Sequence, residues 1–462
     1  MAIRVHTNFL HTTLLVILIL SISCQKQFLD KSPDISLIEP QSVEDYFLLL
    51  EADAINDFSP SLGEIACDDY YLKYPDWGTF KPIFRNSYIW SDDPYEGASV
   101  DDWNQPYKMI NICNIVLDGL KKIAKTPINE TEWDITKGTA LFYRSFLFFN
   151  LAQNFAKPYA PASAEVDLGI PLRIESNPNI VSVRSKLSET YNQIIQDLNE
   201  AKELLLNVVQ INHRNRPSKP AAYALLARVY LTMGDYENAG KYADSCLTLY
   251  NILENYNLFD STKTRTFPST PLNKEVIFLN SLNTGSNDFL PSSKRLIDTL
   301  LIKEYDIDDL RRVLFFRSVS PGEYFFKGQY TGLTDLFHGL ATDEMYLIRA
   351  ECLARAGNVG LAMTTLNTLL ETRWKSGTYT PFSANDSEEA LKLILRERRK
   401  ELIFRGLRWI DLRRLNQEPQ FEKTIIRELN GAIYTLDPNS AKYVFPIPDD
   451  EIRLSGIEQN IR

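Results

Sequence analysis

Residues 220–247 and 343–370 repeat one another. Tyr223, Ala227, Gly234 and Ala239 in the first stretch hold the places of Tyr346, Ala350, Gly357 and Ala362 in the second. The spacing is that of a tetratricopeptide unit: two antiparallel helices, small residues where they touch, and a glycine near the turn. Small side chains let the backbones approach, while tyrosines and leucines fill the grooves between successive pairs. Two units with the same internal spacing predict an α-solenoid region. A long stretch of chain separates them, so a plain tandem array is excluded.

Other segments also read as helices. Residues 101–124 set Trp103, Tyr107, Ile110, Asn111, Asn114 and Leu117 at helical spacing. Residues 137–156 are apolar nearly all round, which predicts a buried helix. Residues 186–207 place Leu187, Tyr191, Ile194, Ile195, Leu198, Ala201 and Leu205 on one face. Between the helices lie three loop-rich segments, 68–100, 157–185 and 250–293. Long ordered loops in a compact domain usually serve function. Within the first, Tyr88-Ile89-Trp90 reads as a short buried strand. No low-complexity tract marks a linker, so one integrated domain is expected over 24–462, with an N-terminal part at about 24–230 and a C-terminal part at about 270–462.

The chain starts with an apolar run, Leu14 to Ile22, ending in Ser23-Cys24 and followed at once by polar residues. A bilayer span needs about 20 apolar residues, so the run reads as the core of a secretory signal peptide over 1–23. A cysteine directly after small residues suggests a lipoprotein signal. On that reading Cys24 is acylated, becomes the new N-terminus and ties the protein to a membrane. The remaining thiols, Cys67, Cys113, Cys246 and Cys352, form no C-x-x-C pair. They read as small buried hydrophobes rather than disulfide partners.

Catalytic signatures are scarce. Beyond the leader the histidines are His213 and His338, which cannot build a histidine-rich zinc site. No nucleophile elbow, phosphate-binding loop or dinucleotide fingerprint occurs. The aspartate pairs Asp68-Asp69, Asp92-Asp93, Asp101-Asp102 and Asp449-Asp450 could help hold calcium, but helix caps and solvated turns account for them. No cofactor is expected, and no enzymatic activity. A net charge of −10 argues against nonspecific nucleic-acid binding. The densest motif is residues 396–414, RERRKELIFRGLRWIDLRR. Its alternating charges predict i,i±4 ion pairs along a helix packed on the solenoid, with Gly406 at a tight contact or break.

Three features together resemble the SusD/RagB outer-membrane lipoproteins of Bacteroidetes. Cys24 followed by Phe28-Leu29-Asp30 and Pro33 is like the mature start of that family. Asp102-Trp103 through Tyr107, Ile110 and Asn114 is similar to its first helix pattern. The block 397–414 is close to its C-terminal signature, and Phe445 to Ile452 with Gln459-Asn460 looks like its usual close. The resemblance implies a mainly α fold: an α-α superhelix of four tetratricopeptide-like helix pairs embedded in one globular domain, with long loops and few short strands. It implies a non-catalytic cell-surface binder, lipid-anchored in the outer membrane, that passes a glycan to a SusC-like TonB-dependent transporter. For some members the ligand is a peptide.

The signature blocks are scaffold, so they do not name the binding residues. Loop aromatics do. Tyr71, Tyr74 and Trp77 are the stacking candidates, with Asp69 as a hydroxyl acceptor and Asn283 and Asn287 as amide candidates. Trp90, Trp103 and Trp409 are set aside as scaffold. Two other readings stand beside this one: a tetratricopeptide scaffold that binds peptide or protein, and a glycoside hydrolase, which would need two converging carboxylates.

Overall fold

The computed structural model describes residues 40–51, 59–270, 272–283 and 293–462. Cys24 and Asn287 lie outside the described residues. Val43–Arg462 form one compact unit. Its N-terminal part runs α1 (Val43–Leu50), α2 (Leu62–Ala66), β1 (Tyr70–Tyr71), α3 (Tyr74–Trp77), α4 (Pro82–Tyr88), α5 (Asp101–Leu120) and α6 (Glu130–Phe155). The middle holds β2 (Leu168–Pro171), β3 (Arg184–Lys186), α7 (Leu187–Leu204), α8 (Lys219–Met233), α9 (Tyr236–Leu249) and β4 (Val276–Phe278). Then come β5 (Leu296–Ile297), α10 (Thr299–Lys303), α11 (Arg311–Phe315), β6 (Phe316–Ser320), β7 (Glu323–Phe326) and β8 (Leu340–Ala341). The chain continues with α12 (Thr342–Arg355), α13 (Val359–Glu371), α14 (Ser387–Glu401), α15 (Arg408–Leu415), β9 (Ile425–Leu429), β10 (Ala432–Leu436) and α16 (Asp449–Ser455). Among the described residues no helix is long and apolar enough to cross a membrane.

The long helices pair and stack in series: α5 on α6, α6 on α7, α8 on α9, α12 on α13. This is the expected mainly α superhelix with few short strands. The two repeats behave alike. Ser218 caps α8, and Gly234 ends it at φ +74; Asp235 then caps α9. Gly357, at φ +81, makes the same turn between α12 and α13. Only glycine adopts this conformation without strain. Although a long segment separates the repeats in sequence, α9 packs directly on α12. Gly240 lies against Cys352 there. The intervening chain is looped out and supplies β4–β8 and the short helices α10 and α11.

That excursion packs with residues 65–88 and 403–429 in a second, aromatic core. Tyr70, Phe84, Tyr88, Tyr256, Phe315 and Phe326 are among its buried members. Over it lies an antiparallel sheet in the order β1-β5-β7-β6, in which Tyr71 pairs with Leu296 and Leu296 with Phe325. One expectation is corrected here. Tyr88-Ile89-Trp90 is not a strand: Tyr88 closes α4 and Trp90 takes φ +56. The indole N–H of Trp90 donates to the Ala66 carbonyl at 3.0 Å, and the Arg427 guanidinium lies 4.5 Å from its ring. A side-chain bond and a cation hold this turn where a strand ladder would otherwise be needed.

The 396–414 block also departs from expectation. No i,i±4 pair forms within it; Lys400 meets Glu397 at 3.0 Å and Arg414 meets Asp411 at 2.8 Å, each three residues apart, and Arg398 reaches Asp411 on the next helix at 2.8 Å. Most of its charges reach across the fold instead. Arg399 meets Asp69 at 3.0 Å, Arg408 meets Asp68 at 2.6 Å, and Arg414 meets Glu351 at 2.6 Å. Glu401 joins Arg311 at 2.9 Å and Arg373 at 2.7 Å, all three fully buried. The helix is sunk in the molecule, so its charges find partners on neighbouring elements rather than one turn along. Cys67, Cys113, Cys246 and Cys352 are buried and unpaired.

Candidate ligand-binding site

The segment after β1 carries a row of aromatic side chains. Pro75 opens the single turn α3, which puts Tyr74 and Trp77 three residues apart on one helical face. Their ring centroids are 5.9 Å apart with planes inclined by 26°. Tyr74 is 47% exposed, and Trp77 is half-buried. The Trp77 indole N–H donates to the Arg85 carbonyl at 3.2 Å, and the Arg85 guanidinium sits 5.6 Å from its ring. Tyr71, half-buried on β1, begins the same row. Phe80 continues it, stacked on Phe84 at 4.3 Å.

Charged groups surround the row. Lys73 pairs with Glu323 at the start of β7 at 2.7 Å, and Ser320 donates to Glu323 at 2.6 Å. Lys294 donates to the Thr79 hydroxyl at 2.9 Å and lies 5.7 Å from the Phe80 ring. Burial and the nearby Glu323 carboxylate push the Tyr71 phenol above its ordinary pKa, so it stays a neutral donor and acceptor. The result is a shallow surface with apolar ring faces and a rim of ammonium, carboxylate and hydroxyl groups.

The structure stacks Tyr74 on Trp77, with Tyr71 at the end of β1 three residues before Tyr74, but places Asp69 and Asn283 elsewhere. Asp69 is buried under β1. One of its oxygens accepts from Arg399 at 3.0 Å, and its carbonyl accepts from the Asp298 N–H at 2.9 Å. Burial raises its pKa, with Arg399 acting in the opposite sense. The carboxylate therefore anchors the strand beneath the aromatics and is not offered to solvent. Asn283 is also buried, donating to Asp102 at 3.0 Å. Phe80, Lys294 and Glu323 were not singled out in the sequence. Phe80 lies in the same aromatic loop and could have been; nothing in the chain signals that Glu323 returns to Lys73.

Among the described residues, the buried titratable groups are engaged in structural contacts. His338 sits between the Arg405 carbonyl at 3.0 Å and the Asn150 side-chain oxygen at 3.1 Å. Burial and the Arg228 charge depress its pKa to about 3, so it is a neutral structural group. Among the described residues, two buried trios bring metal-ligand types together: Glu64 with Cys67 and Asp69, and Glu275 with Asp343 and Glu401. Arginines already neutralise the second trio, through Arg373 with Glu275 and Arg405 with Asp343. In the first, burial raises Glu64 to about 8, a protonated acid at neutral pH and a poor ligand.

Residues 27–231 match a family model described as SusD-like, starch-binding associating with outer membrane, and residues 342–461 match the SusD family model. SusD-like protein P2 of Formosa agariphila is 25% identical over 390 residues, covering 71% of this chain and 74% of that protein. The fold recurs in a SusD superfamily protein of Bacteroides fragilis, at TM-score 0.72 and 22% identity, covering 91% of this chain and 99% of that one. It recurs in a SusD superfamily protein of Bacteroides thetaiotaomicron, at TM-score 0.71 and 22% identity, covering 91% and 100%. A laminarin-binding SusD-like protein aligns at TM-score 0.65 and 19% identity, covering 90% and 98%. With both ends of the compact unit matched and the helical scaffold shared throughout, the chain belongs to the SusD/RagB family of non-catalytic outer-membrane glycan-binding proteins.

Proposed function

We propose that this chain is a cell-surface lipoprotein, acylated at Cys24, that captures oligo- or polysaccharide on Tyr71, Tyr74 and Trp77 and delivers it to a SusC-like TonB-dependent outer-membrane transporter. The observation that carries the reading is the stacked pair of exposed Tyr74 and half-buried Trp77, with Trp77 fixed by its bond to the Arg85 carbonyl. Sugar rings present C–H faces that stack on such planes, and their hydroxyls are matched by Lys73, Glu323 and Lys294 around the rings. Holding the indole in place before the ligand arrives reduces the ordering cost of binding. Asn287, in the same stretch of chain as Lys294, remains an amide candidate. The reading takes 24–462 as a single domain behind a cleaved leader.

Affinity electrophoresis of residues 25–462 through gels containing a polysaccharide panel, laminarin included, tests this directly. Retardation by one polysaccharide, abolished in Trp77→Ala and Tyr74→Ala variants that keep their helical content, supports both ligand class and site. Retardation that survives both changes moves the site elsewhere. No retardation across the panel, with co-purification of a large membrane partner, favours the peptide- or protein-binding scaffold.

A further inference from the structure

A second concavity, of about 640 Å³, opens where the end of α6, the loop before β2 and the segments around 439–444 and 458–461 meet. That size suits a small organic ligand, and its lining elements are not those of the aromatic row. Its wall holds three cations, Lys157, Arg184 and Arg413. Lys157 is neutralised by Asp167 at 2.6 Å. The two guanidiniums are bound by carbonyls instead. Arg184 donates to Gly169 at 2.8 Å, Leu168 at 3.2 Å and Glu458 at 3.1 Å, and Arg413 to the carbonyls of Gln153 and Ala156. Neither has an ion pair among the described residues. The Glu458 carboxylate at the rim acts on Arg184 only through space. Burial without a counter-ion lowers Arg413 to about 10.

Carbonyl partners satisfy hydrogen bonds but leave the charge uncompensated; the C-terminal end of α6 offsets Arg413 only in part. Neither guanidinium has spent all five of its donors. The amides around the cleft are arranged the other way. Gln417 donates to the Tyr159 carbonyl, Asn439 to that of Asn416, and Asn460 to those of Phe155 and Phe445. Their side-chain oxygens accept no hydrogen bond from the described residues. The cleft therefore offers positive charge at one wall, unspent acceptors at another, and apolar contact from Val166, Leu168 and Ile461. A molecule that bears a carboxylate, several donating hydroxyls and C–H faces answers all three.

We propose that this cleft is a second saccharide site, selective for carboxylated sugars such as uronic acids. Beyond the glycan class, it does not rest on the aromatic row. The test is calorimetric titration of the full mature chain with a galacturonic acid trisaccharide and with the neutral galactose trisaccharide. Three variants run alongside: Lys157→Glu, which reverses an exposed rim charge; Gln417→Trp, which fills the exposed rim; and the double variant Tyr74→Ala/Trp77→Ala. The uronate should bind at least about tenfold more tightly than the neutral sugar and weaken with salt. It should lose about tenfold in each rim variant and remain unchanged in the double variant. Uronate binding that vanishes only in the double variant, or that matches the neutral sugar, overturns the cleft, as does the absence of binding at millimolar ligand in wild-type protein. The polysaccharide gels judge the aromatic row independently, so the two readings fail separately.

Discussion

Trp77 is the residue on which the proposed binding surface turns. Its indole is half-exposed, and its single hydrogen bond runs to a neighbouring carbonyl. Trp77→Ala is expected to abolish retardation while shifting the melting temperature by no more than a few degrees; circular dichroism melts alongside the gels check both. Beneath the surface, Glu64 and His338 line one small cavity and carry opposite linkages. The His338 pKa falls from an unfolded value near 6.5 to about 3, so the unfolded chain binds the extra proton and stability drops as pH falls below about 6.5. Glu64 rises from 4.5 to about 8, so the folded chain binds the extra proton and stability drops as pH climbs from 4.5 through 8. The two slopes oppose one another between about 4.5 and 6.5. Denaturant melts from pH 4.5 to 8.5 should show Glu64→Gln losing the alkaline decline that wild type displays; an unchanged slope refutes the protonated acid. At this scale the sequence was legible where chemistry is local. An aromatic triplet in a loop can be read directly. The fates of Asp69 and Asn283 depend on Arg399 and Asp102, far off in the chain, and no spacing reveals them.

Among elements, the joint between α14 and α15 bears the greatest constraint. Gly406 sits there at φ +71, where a Cβ would fall 2.3 Å from the His338 ring nitrogen, and its N–H donates to Glu64 at 2.7 Å. Gly406→Ala combines backbone strain with a clash and should cost about 1–3 kcal/mol or more, readable as a lower urea midpoint. The Arg311–Glu401–Arg373 group beside it is sealed from water. Glu401→Gln leaves two guanidiniums short of charge and should cost about 3–5 kcal/mol. Lys392→Gln, which breaks an exposed i,i+4 pair with Glu388, should leave the midpoint unchanged. Helices were the most readable elements because burial stripes recur every turn. The 101–124 expectation became Asp101–Leu120, and 186–207 became Leu187–Leu204. The helix expected from 137 begins at Glu130, since ETEWDIT shows no apolar run although it continues the same turn pattern. The paired strands β1 and β5 have two residues each, too short for any alternation to register.

At the level of the molecule, both halves contribute to one core. The α9–α12 contact and the Asp68–Arg408 pair each join chain on either side of the looped-out segment. Fragments covering 24–250 and 251–462 should each show reduced helicity and aggregate, and the intact chain should unfold in one transition by both fluorescence and far-ultraviolet circular dichroism. Two separate transitions would assign the halves independent stability. The superhelical class followed from two repeats and three stripes. That the repeats touch did not, because a looped-out insertion leaves no periodic trace.

The arginines at 399, 408 and 414 have a consequence in time as well as in space. Their acidic partners Asp68, Asp69 and Glu351 precede them in the chain, the aspartates by more than three hundred residues. During synthesis those acids emerge long before the guanidiniums that neutralise them, and loop closure over such separations is slow. Until the late arginines arrive, burying Asp68 and Asp69 is unfavourable, so this part of the chain stays open. A polypeptide that must be threaded across a membrane before folding gains from that delay: the residues that lock the native state are among the last to be delivered.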